Sequence, residues 1–525
     1  MDFNKLKKDV TDKGEVLLSK GLRAAFSAVG AVGRKASPLP AIAQAEPEDY
    51  RLKGGSCYTV GFGKATVFPD DFMQKTYYVA GYGENNPATG YLDEPHAHAV
   101  WMDDNSGRGA VLLISIDTVG LLNADVNGIR ESLADFARTT DCRSINIMST
   151  HNHASIDTMG TWGPLPLSGR DKSYMKFFYA QVKKAAIDAY KDRRSGSLYL
   201  GTIEVPDMQE DIRTPIVYSK TLTRLRFAPK DGTRETWLLN FASHSESLQG
   251  CNSRVSADFP GYMREAIRRE TGAETAYFVG AIGGMISMDI PNEKEIRAAG
   301  GDFAENTRQI GEKLAGYAMS IGKEKKLSPC INVLRQEFYF DADNTMLMTA
   351  KFAHILQAKG YYMEGASLGF ALKSEMTYLE IGGQKILLLP CELFPELAYG
   401  GYLDCDESAS GYGAEVNPVP LLEIANDPNM LIFGLANDEV GYVLPKNDFL
   451  LHAETPYFEA ARDRHGRRHY EETNSLGPAT ADTIAEVFCG MMQTVNAAKA
   501  KAETEAKAAK EAKEAAKKAE DTVEA

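Results

Sequence analysis

The side chains of this sequence whose types and spacing best suit catalysis or metal binding are two histidines one residue apart. His151 and His153 belong to the sequence Ser-Thr-His-Asn-His at residues 149–153, which follows the short apolar segment 145–148. An apolar segment of this length predicts a strand, and residues two apart on a strand point to the same face. Both imidazoles would therefore reach one site at the end of the strand. By itself, the pair fits a metal centre and hydrogen-bonded structural histidines equally well.

Further polar side chains follow other short apolar segments. These residues are His244, Ser287, Glu392 and Tyr442. In open α/β sheets, ligand sites form at the carboxyl ends of strands, so these side chains are candidates for a common site. Two histidines, a carboxylate and a further oxygen would suit zinc and leave room for water. The alternatives stay open: Ser287 could belong only to a Gly-Gly turn, Glu392 to the first turn of a helix, and Tyr442 could simply pack.

The remaining histidines are weaker candidates. His96 and His98 repeat the same spacing, but they lie at the start of an alternating segment, which favours a structural or rim role. His354 lies in an apolar helical pattern and is expected to be a core histidine. Solvated positions are expected for the histidines of a polar, Arg-rich stretch: His452, His465 and His469.

Strand and helix patterns alternate along the chain, which predicts an α/β or α+β fold. Residues 58–67 alternate with a period of two, and residues 109–117 form an apolar segment typical of a strand buried on both faces. Residues 125–136 and 173–191 carry apolar residues at helical spacing. No long linker interrupts residues 49–496, which we therefore treat as a single domain.

Both ends of the chain differ from this domain. Residues 1–48 are an extension with mixed helical periodicity, expected to be solvated or loosely docked, with contact to a membrane surface as the alternative. Residues 497–525 are almost entirely Ala, Lys and Glu, which predicts an exposed helical tail that carries no chemistry. No apolar run reaches the length of a membrane span.

Composition narrows the classes of function. With 525 residues, 44% of them hydrophobic, the chain can bury a large core, and its net charge of −14 argues against a nucleic-acid partner. Seven scattered cysteines without paired spacing indicate reduced thiols. The first residues lack the short basic start and continuous apolar centre of a secretory signal. We therefore expect a cytoplasmic location, with secretion as the alternative.

Several motifs occur together in an order typical of one family. Residues 149–153 match a Ser-Thr-His-Thr-His zinc motif, and residues 239–244 (Leu-Asn-Phe-Ala-Ser-His) are similar to Asn-x-Phe-Ala-x-His. Further motifs follow at residues 278–287, 389–392, 434–443 and 470–478. From about residue 58 to about residue 497, the chain resembles the neutral/alkaline (non-lysosomal) ceramidase family. The resemblance implies a single large catalytic domain with a mixed sheet.

The resemblance also implies a cofactor and individual roles. The cofactor would be zinc (Zn2+), with ligands at His151, His244, Glu392 and Tyr442. Three residues would surround the scissile amide: His153, Arg213 and Tyr470. The implied reaction is hydrolysis of the N-acyl bond of ceramide or a related N-acyl lipid by metal-activated water. His153 would act as general base and then acid, and Arg213 or Tyr470 would stabilise the oxyanion. Ser287, at the position of the family's catalytic serine, would be a nucleophile or orient the substrate.

Three departures from the family pattern lie close to these residues. Residues 154–156 (Ala-Ser-Ile) replace Ser-Gly-Pro, residues 245–247 (Ser-Glu-Ser) replace Gly-Thr-Ser, and residues 285–288 (Met-Ile-Ser-Met) replace Asp-Val-Ser-Pro. Hydrolase chemistry is therefore better supported than a ceramide substrate. Two alternatives stay open: a zinc hydrolase of the same fold that acts on another amide or ester, and a non-catalytic binding protein that kept the fold.

Overall fold

The computed structural model describes residues 3–36, 39–45, 47 and 49–523. The helices of this part of the chain are α1 (Phe3–Ala36), α2 (Asn123–Ser132), α3 (Ala134–Thr140), α4 (Lys172–Lys191), α5 (Asp258–Thr271), α6 (Glu293–Ala298), α7 (Ala304–Ser320), α8 (Thr345–Phe352), α9 (Pro395–Tyr399), α10 (Leu421–Ile424) and α11 (Thr480–Val523). Short 3-10 helices lie at Phe72–Gln74, Ala414–Val416, Lys446–Asp448 and Glu471–Asn474.

The strands divide into two larger sheets and several two-stranded ladders. Up to residue 279 they are β1 (Tyr58–Thr66), β2 (Gly90–Tyr91), β3 (His96–Asp103), β4 (Ala110–Ile116), β5 (Cys142–Ser149), β6 (Arg194–Glu204), β7 (Gln209–Asp211), β8 (Thr221–Pro229), β9 (Thr236–Phe241), β10 (Arg254–Val255) and β11 (Glu274–Val279). The later strands are β12 (Ile286–Met288), β13 (Glu324–Leu327), β14 (Ile331–Asp341), β15 (Gly360–Tyr362), β16 (Phe370–Ile381), β17 (Gln384–Leu388), β18 (Glu392–Leu393), β19 (Leu431–Phe433), β20 (Tyr442–Val443), β21 (Ala461–Arg462) and β22 (Arg468–His469).

The larger sheet is mixed. Its strand order is β11-β9-β8-β6-β1-β3-β4-β5, with β13 paired to β6. The pairs β4–β5 and β9–β11 are parallel, and the other pairs of this sheet are antiparallel. The second sheet has the order β14-β16-β17-β19, with β15 on β16, and its β17–β19 pair is parallel. An α/β fold with mixed sheets is thus confirmed.

The two larger sheets pack face to face, which explains the alternation along their strands. Leu379, Ile386 and Leu388 of the second sheet share a buried cluster with inward residues of the larger sheet, such as Leu113. Leu387, which lies between two of them, belongs instead to the cluster on the opposite face. Successive side chains of a strand point to opposite faces, so each strand contributes to two apolar layers.

Helices cover the outer faces of this sandwich. On the larger sheet, α4 crosses β1 and β3, and the crossing is close because β1 carries glycines at its centre. A Cβ atom on Gly61 or Gly63 would lie 2.0 Å from a carbonyl oxygen of α4, so neither position tolerates a side chain without a backbone shift. On the far side, α11 covers β14, and Phe488 lies fully buried in that contact.

Most of the sequence-predicted elements are present within one or two residues, with one difference. The predicted helix 125–136 is divided into α2 and α3, because Leu133 has a non-helical ψ of 1° and ends the first helix. The fully buried Leu133 side chain holds this break in place. Residues 173–191 form one helix, α4, as expected.

The ends of the chain are both helical. Phe26 of α1 packs on Phe352 and Phe370, and Arg23 forms an ion pair of 2.7 Å with Asp343. Within the described residues, α1 includes one segment, Lys13–Gly33, that is long and apolar enough to cross a membrane, although no apolar run of that length was expected. At the other end, α11 continues without interruption across residue 497.

Candidate metal centre and its cavity

The ends of separate strands deliver three polar side chains to one point. His151 follows β5, His244 follows β9, and Glu392 begins β18. The Nε2 atoms of His151 and His244 lie 3.2 and 3.0 Å from the same oxygen, Oε2 of Glu392. All three side chains are buried. The convergence that the strand ends suggested is therefore present in the structure.

Backbone carbonyls orient the two imidazoles. Nδ1 of His151 donates to the carbonyl of Val119, and Nδ1 of His244 donates to that of Ile286, both at 2.8 Å. A carbonyl can only accept a hydrogen bond, so each ring carries a hydrogen on Nδ1. The Nε2 atoms then face Glu392, and the carboxylate of Glu392 accepts a hydrogen bond of 3.0 Å from Nε2 of His244. Histidines that bind metals are held in this manner.

The donor set fits a zinc ion. The imidazoles of His151, His153 and His244 present nitrogen atoms within 4.8 Å of one another. Ligand atoms about 2.0–2.1 Å from a tetrahedral zinc lie about 3.3 Å apart, close to the separations from Glu392. A buried group of three histidines could therefore hold a metal ion. Two histidines with one carboxylate, as in His151, His244 and Glu392, are a ligand set of zinc centres that keep an open position.

Tyr442 is positioned by the strand that pairs with Glu392. In the parallel β18–β20 ladder, Tyr442 is the direct partner of Glu392, and both residues line the same cavity. The Tyr442 hydroxyl lies 3.1 Å from the hydroxyl of Tyr470 and 3.6 Å from Sδ of Met285. Burial and the nearby Glu392 raise the pKa of Tyr442 well above its ordinary value. Tyr442 and Tyr470 thus meet beside the three converging side chains.

His153 lies against a tight turn. Gly81 has a φ of +106°, and a Cβ atom there would lie 2.5 Å from Cγ of His153. Tyr82 packs edge to face on the imidazole, with ring centroids 5.1 Å apart. Neither ring nitrogen of His153 has a hydrogen-bond partner among the described residues, and Oε2 of Glu246 lies 3.4 Å from Nδ1.

The other two sequence-predicted residues lie behind the cavity wall. Ser287, on β12, donates a hydrogen bond to the carboxylate of Glu246, which itself lines the cavity. Arg213 is not brought to the cavity: its guanidinium lies 2.7 Å from Glu471 and 3.2 Å from Asp448, above the ring of Phe394. Of Arg213 and Tyr470, only Tyr470 lines the cavity.

The electrostatics of the site follow from burial and from the pairing of charges. Burial alone would lower the pKa of His244, but the contact with Glu392 and the field of Glu246 raise it to about 9. Burial opposes ionisation of Glu392, and the two imidazoles nevertheless hold its pKa far below the ordinary value. Burial, with a contribution from His151, lowers the pKa of His153 to about 3. His153 is therefore neutral near pH 7.

A cavity of about 1000 Å³ adjoins the three converging side chains. Its walls come from the segments after β4 and β5, from α2, from α8 and the residues that follow it, and from the ends of β18 and β20. Apolar atoms form most of the lining surface, and the large apolar side chains among the lining residues are Val119, Leu122, Met159, Trp162, Met285, Leu347, Met348, Leu356, Leu372, Val440 and Leu476. A cavity of this size is large enough to hold a small-molecule ligand.

Sequence reasoning missed several residues of this wall. Glu246 and Met285 are marked in the sequence only as departures from family motifs, and Tyr82 is not a candidate there, yet all three line the cavity. Glu439 also lines the cavity, and burial together with Glu392 raises its pKa well above the ordinary value. The type and spacing of these residues do not predict a place in the wall, because each reaches the cavity only through the folding of distant segments.

The remaining histidines are placed partly against expectation. His98 is fully buried beside Phe62, and His96 hydrogen-bonds the Glu94 carbonyl, so this pair lies outside the three-histidine group. His354, expected in the core, is exposed at a left-handed position after α8. His469, expected to be solvated, is buried and lies 2.7 Å from Glu472. For His354 and His469, the path of the surrounding loop decides whether the side chain is exposed, and the local sequence pattern does not.

Comparison with known proteins supports the fold alone. No protein-family model and no curated protein matches the sequence. Among solved structures, neutral ceramidase from Pseudomonas aeruginosa matches with a TM-score of 0.60 and 15% identity, over 85% of this chain and 75% of that one. A ceramidase complexed with C2 matches with a TM-score of 0.57 and 16% identity, over 83% and 75% of the two chains. The chain therefore has a ceramidase-like fold.

Proposed function

We propose that this protein is a zinc-dependent hydrolase that cleaves the N-acyl amide bond of ceramide or a related N-acyl lipid. The observation that carries the proposal is the convergence of His151, His244 and Glu392 on one point at the wall of a large apolar cavity. The likeness to solved ceramidases supports it at the level of the fold. His151, His244, Glu392 and Tyr442 are the proposed zinc ligands.

In this proposal each residue has a chemical task. Zinc, when bound, would lower the pKa of a coordinated water and polarise the amide carbonyl. Neutral His153 takes up a proton and returns it to the leaving nitrogen, which requires an imidazole that is not protonated at rest. The Tyr470 hydroxyl donates toward the carbonyl oxygen as negative charge develops there. The apolar walls hold the acyl chain and exclude water.

The proposal is tested by metal content and amide hydrolysis measured on the same samples. We expect wild-type protein to contain zinc and to hydrolyse ceramide in micelles, and His151→Ala and His244→Ala to lose both. The matched control is His465→Ala, because His465 is exposed and lies outside the cavity. Full hydrolysis by His151→Ala, or by protein stripped of metal, would contradict the proposal. A zinc-loaded protein that hydrolyses no N-acyl compound would favour the non-catalytic alternative.

A second candidate substrate class is favoured by three of the four cations that line the cavity; the fourth, Lys373, is paired with Glu337. Lys351, Lys359 and Arg468 line it, and none forms an ion pair with another described residue. Such cations favour an N-acyl compound that carries an acidic group, such as an N-acyl amino acid. Comparison of kcat/KM for ceramide and for an N-acyl amino acid of equal chain length decides between the two classes. Lys351→Met and Arg468→Met should reduce hydrolysis of the acidic compound alone.

A further inference from the structure

Glu246 is a buried carboxylate that contacts three groups at the candidate site. Its Oε2 accepts a hydrogen bond of 2.8 Å from the Tyr82 hydroxyl and lies 3.4 Å from Nδ1 of His153. Its Oε1 accepts a hydrogen bond from the hydroxyl of Ser287. The side chain is only 6% exposed, and this small exposed part faces the cavity. A buried carboxylate with partners on both oxygens has a fixed position.

His153 differs from the two neighbouring histidines in what holds it. Backbone carbonyls orient His151 and His244 through Nδ1, but His153 has no such contact among the described residues. Its ring is confined by packing, with Tyr82 on one face and Gly81 against Cγ. Packing alone leaves the position of the ring hydrogen undetermined. The carboxylate of Glu246 is the charged acceptor closest to Nδ1.

We propose that Glu246 is the positioning residue of the site, which holds His153 with its hydrogen on Nδ1 and fixes the hydroxyl of Ser287. Nε2 of His153 then keeps its lone pair for the proton transfer of the proposed hydrolysis. Tyr82 completes the unit, since the same side chain packs on the imidazole and donates to Glu246. Only the consequence for catalysis rests on the proposed function. The hydrogen position of His153 is a property of the folded chain and does not depend on it.

The hydrogen position is measured without activity. Metal-free protein labelled with 15N-histidine reports by NMR which ring nitrogen carries the hydrogen, and His153→Gln identifies the signals of His153. We expect Nδ1–H in the wild type and a mixture of tautomers in Glu246→Met, which keeps the length of the side chain without its oxygens. Glu246→Gln, which retains one carbonyl oxygen, should restore part of the Nδ1–H preference.

The consequence for catalysis is measured separately. Loss of a residue that orients a metal-site histidine typically costs about 10- to 100-fold in activity, so kcat of Glu246→Met should fall by that factor with KM nearly unchanged. Zinc content should stay that of the wild type. The matched control is Asp104→Asn, because Asp104 is a buried carboxylate that pairs with Arg108 just after β3 and does not line the cavity. The Asp104→Asn variant should have a lower thermal stability than the wild type and unchanged His153 signals.

Two results would overturn the inference. Unchanged His153 signals in Glu246→Met would show that packing alone sets the tautomer. Loss of zinc from Glu246→Met or Glu246→Gln would make Glu246 a metal ligand instead. Should the methionine variant not fold, Tyr82→Phe removes one contact of the carboxylate and must shift the same signals in the same direction. If the proposed function is wrong, the wild type will not hydrolyse the amide. The NMR comparison will still show whether Glu246 sets the hydrogen position of His153.

Discussion

At the scale of single residues, the site depends on backbone conformations that most side chains avoid. His151 has a φ of +53° immediately after β5, and Met285 has a φ of +71° before β12. Such positions cost of order 1–3 kcal/mol and persist only where the surroundings enforce them. Hydrogen bonds from the amides of Thr150 and Asn152 to the carbonyls of Ile116 and Thr118 hold the turn around His151. The left-handed backbone conformation of His151 therefore helps to place its imidazole against Glu392.

Gly81 allows a test of the contact that confines His153. In Gly81→Ala the new methyl group would meet the imidazole at 2.5 Å, so we expect a large loss of thermal stability and of hydrolysis. The matched control is Gly107→Ala, because Gly107 also has a positive φ, of +80°, but no atom lies within 4 Å of its Cβ position. Both variants carry a backbone cost of about 1–3 kcal/mol, and only Gly81→Ala adds the clash. Equal losses in the two variants would contradict the packing role of Gly81.

Glu396 gives the stability a predictable dependence on pH. Burial raises its pKa from 4.5 to about 8, so the folded chain keeps a proton that the unfolded chain releases above pH 4.5. This contribution is fully present below pH 4.5 and is lost as the pH rises to about 8. Glu396→Gln carries no such proton, so its free energy of unfolding relative to wild type should rise between pH 4.5 and 8 and then level off. Denaturant unfolding across this range measures the difference, and the exposed control Glu204→Gln should show none.

The residues that could be predicted are those whose neighbours in sequence carry the signal. Four of the predicted residues each follow a strand pattern within a recognisable motif: His151, His244, Glu392 and Tyr442. The structure brings the first three to one point, and Tyr442 lies beside them as the ladder partner of Glu392. Arg213 also lies in a motif, but acidic residues more than 200 positions away bind its guanidinium. Glu246 was not predicted as a site residue because its partners, Tyr82 and Ser287, come from distant segments.

At the scale of elements, strands could be predicted and their pairing could not. The pattern at residues 109–117 marks β4 because both of its faces are buried. No local pattern shows that β14 to β19 form a second sheet that packs on the first, since strand order depends on contacts between segments far apart in the chain. The contact between the sheets decides where β18 and β20 place Glu392 and Tyr442.

Phe433 tests how far the contact between the sheets supports the site. Its ring stacks on Phe278 of β11 at 4.7 Å, with an interplanar angle of 5°, so it joins the two sheets. Truncation of a buried Phe to Ala typically costs 3–5 kcal/mol, so we expect a loss of about that size in Phe433→Ala and less than half of it in Phe433→Leu. Chemical denaturation followed by fluorescence measures both. A loss below about 1 kcal/mol in Phe433→Ala would show that the sheets do not depend on this stack.

At the scale of the whole molecule, α11 joins a buried segment to an exposed one without a boundary. Ile484, Phe488, Met491 and Val495 pack into the core over β14, while every described side chain from residue 503 to residue 517 is exposed. The predicted division at residue 497 is therefore a change in burial along one helix. Alanine-rich sequence with Glu and Lys at helical spacing keeps the helix intact beyond the last core contact.

Removal of residues 506–525 separates these two parts of α11. Because the deleted side chains that the structure describes are exposed and pair only with one another, we expect the free energy of unfolding to change by less than about 0.5 kcal/mol, with metal content and hydrolysis unaltered. Phe488→Ala, within the buried half, should by contrast cost about 3–5 kcal/mol. Thermal unfolding of the three proteins under one set of conditions makes the comparison. A clear loss of stability in the shortened chain would contradict this expectation. It would show that residues 506–525 also stabilise the core.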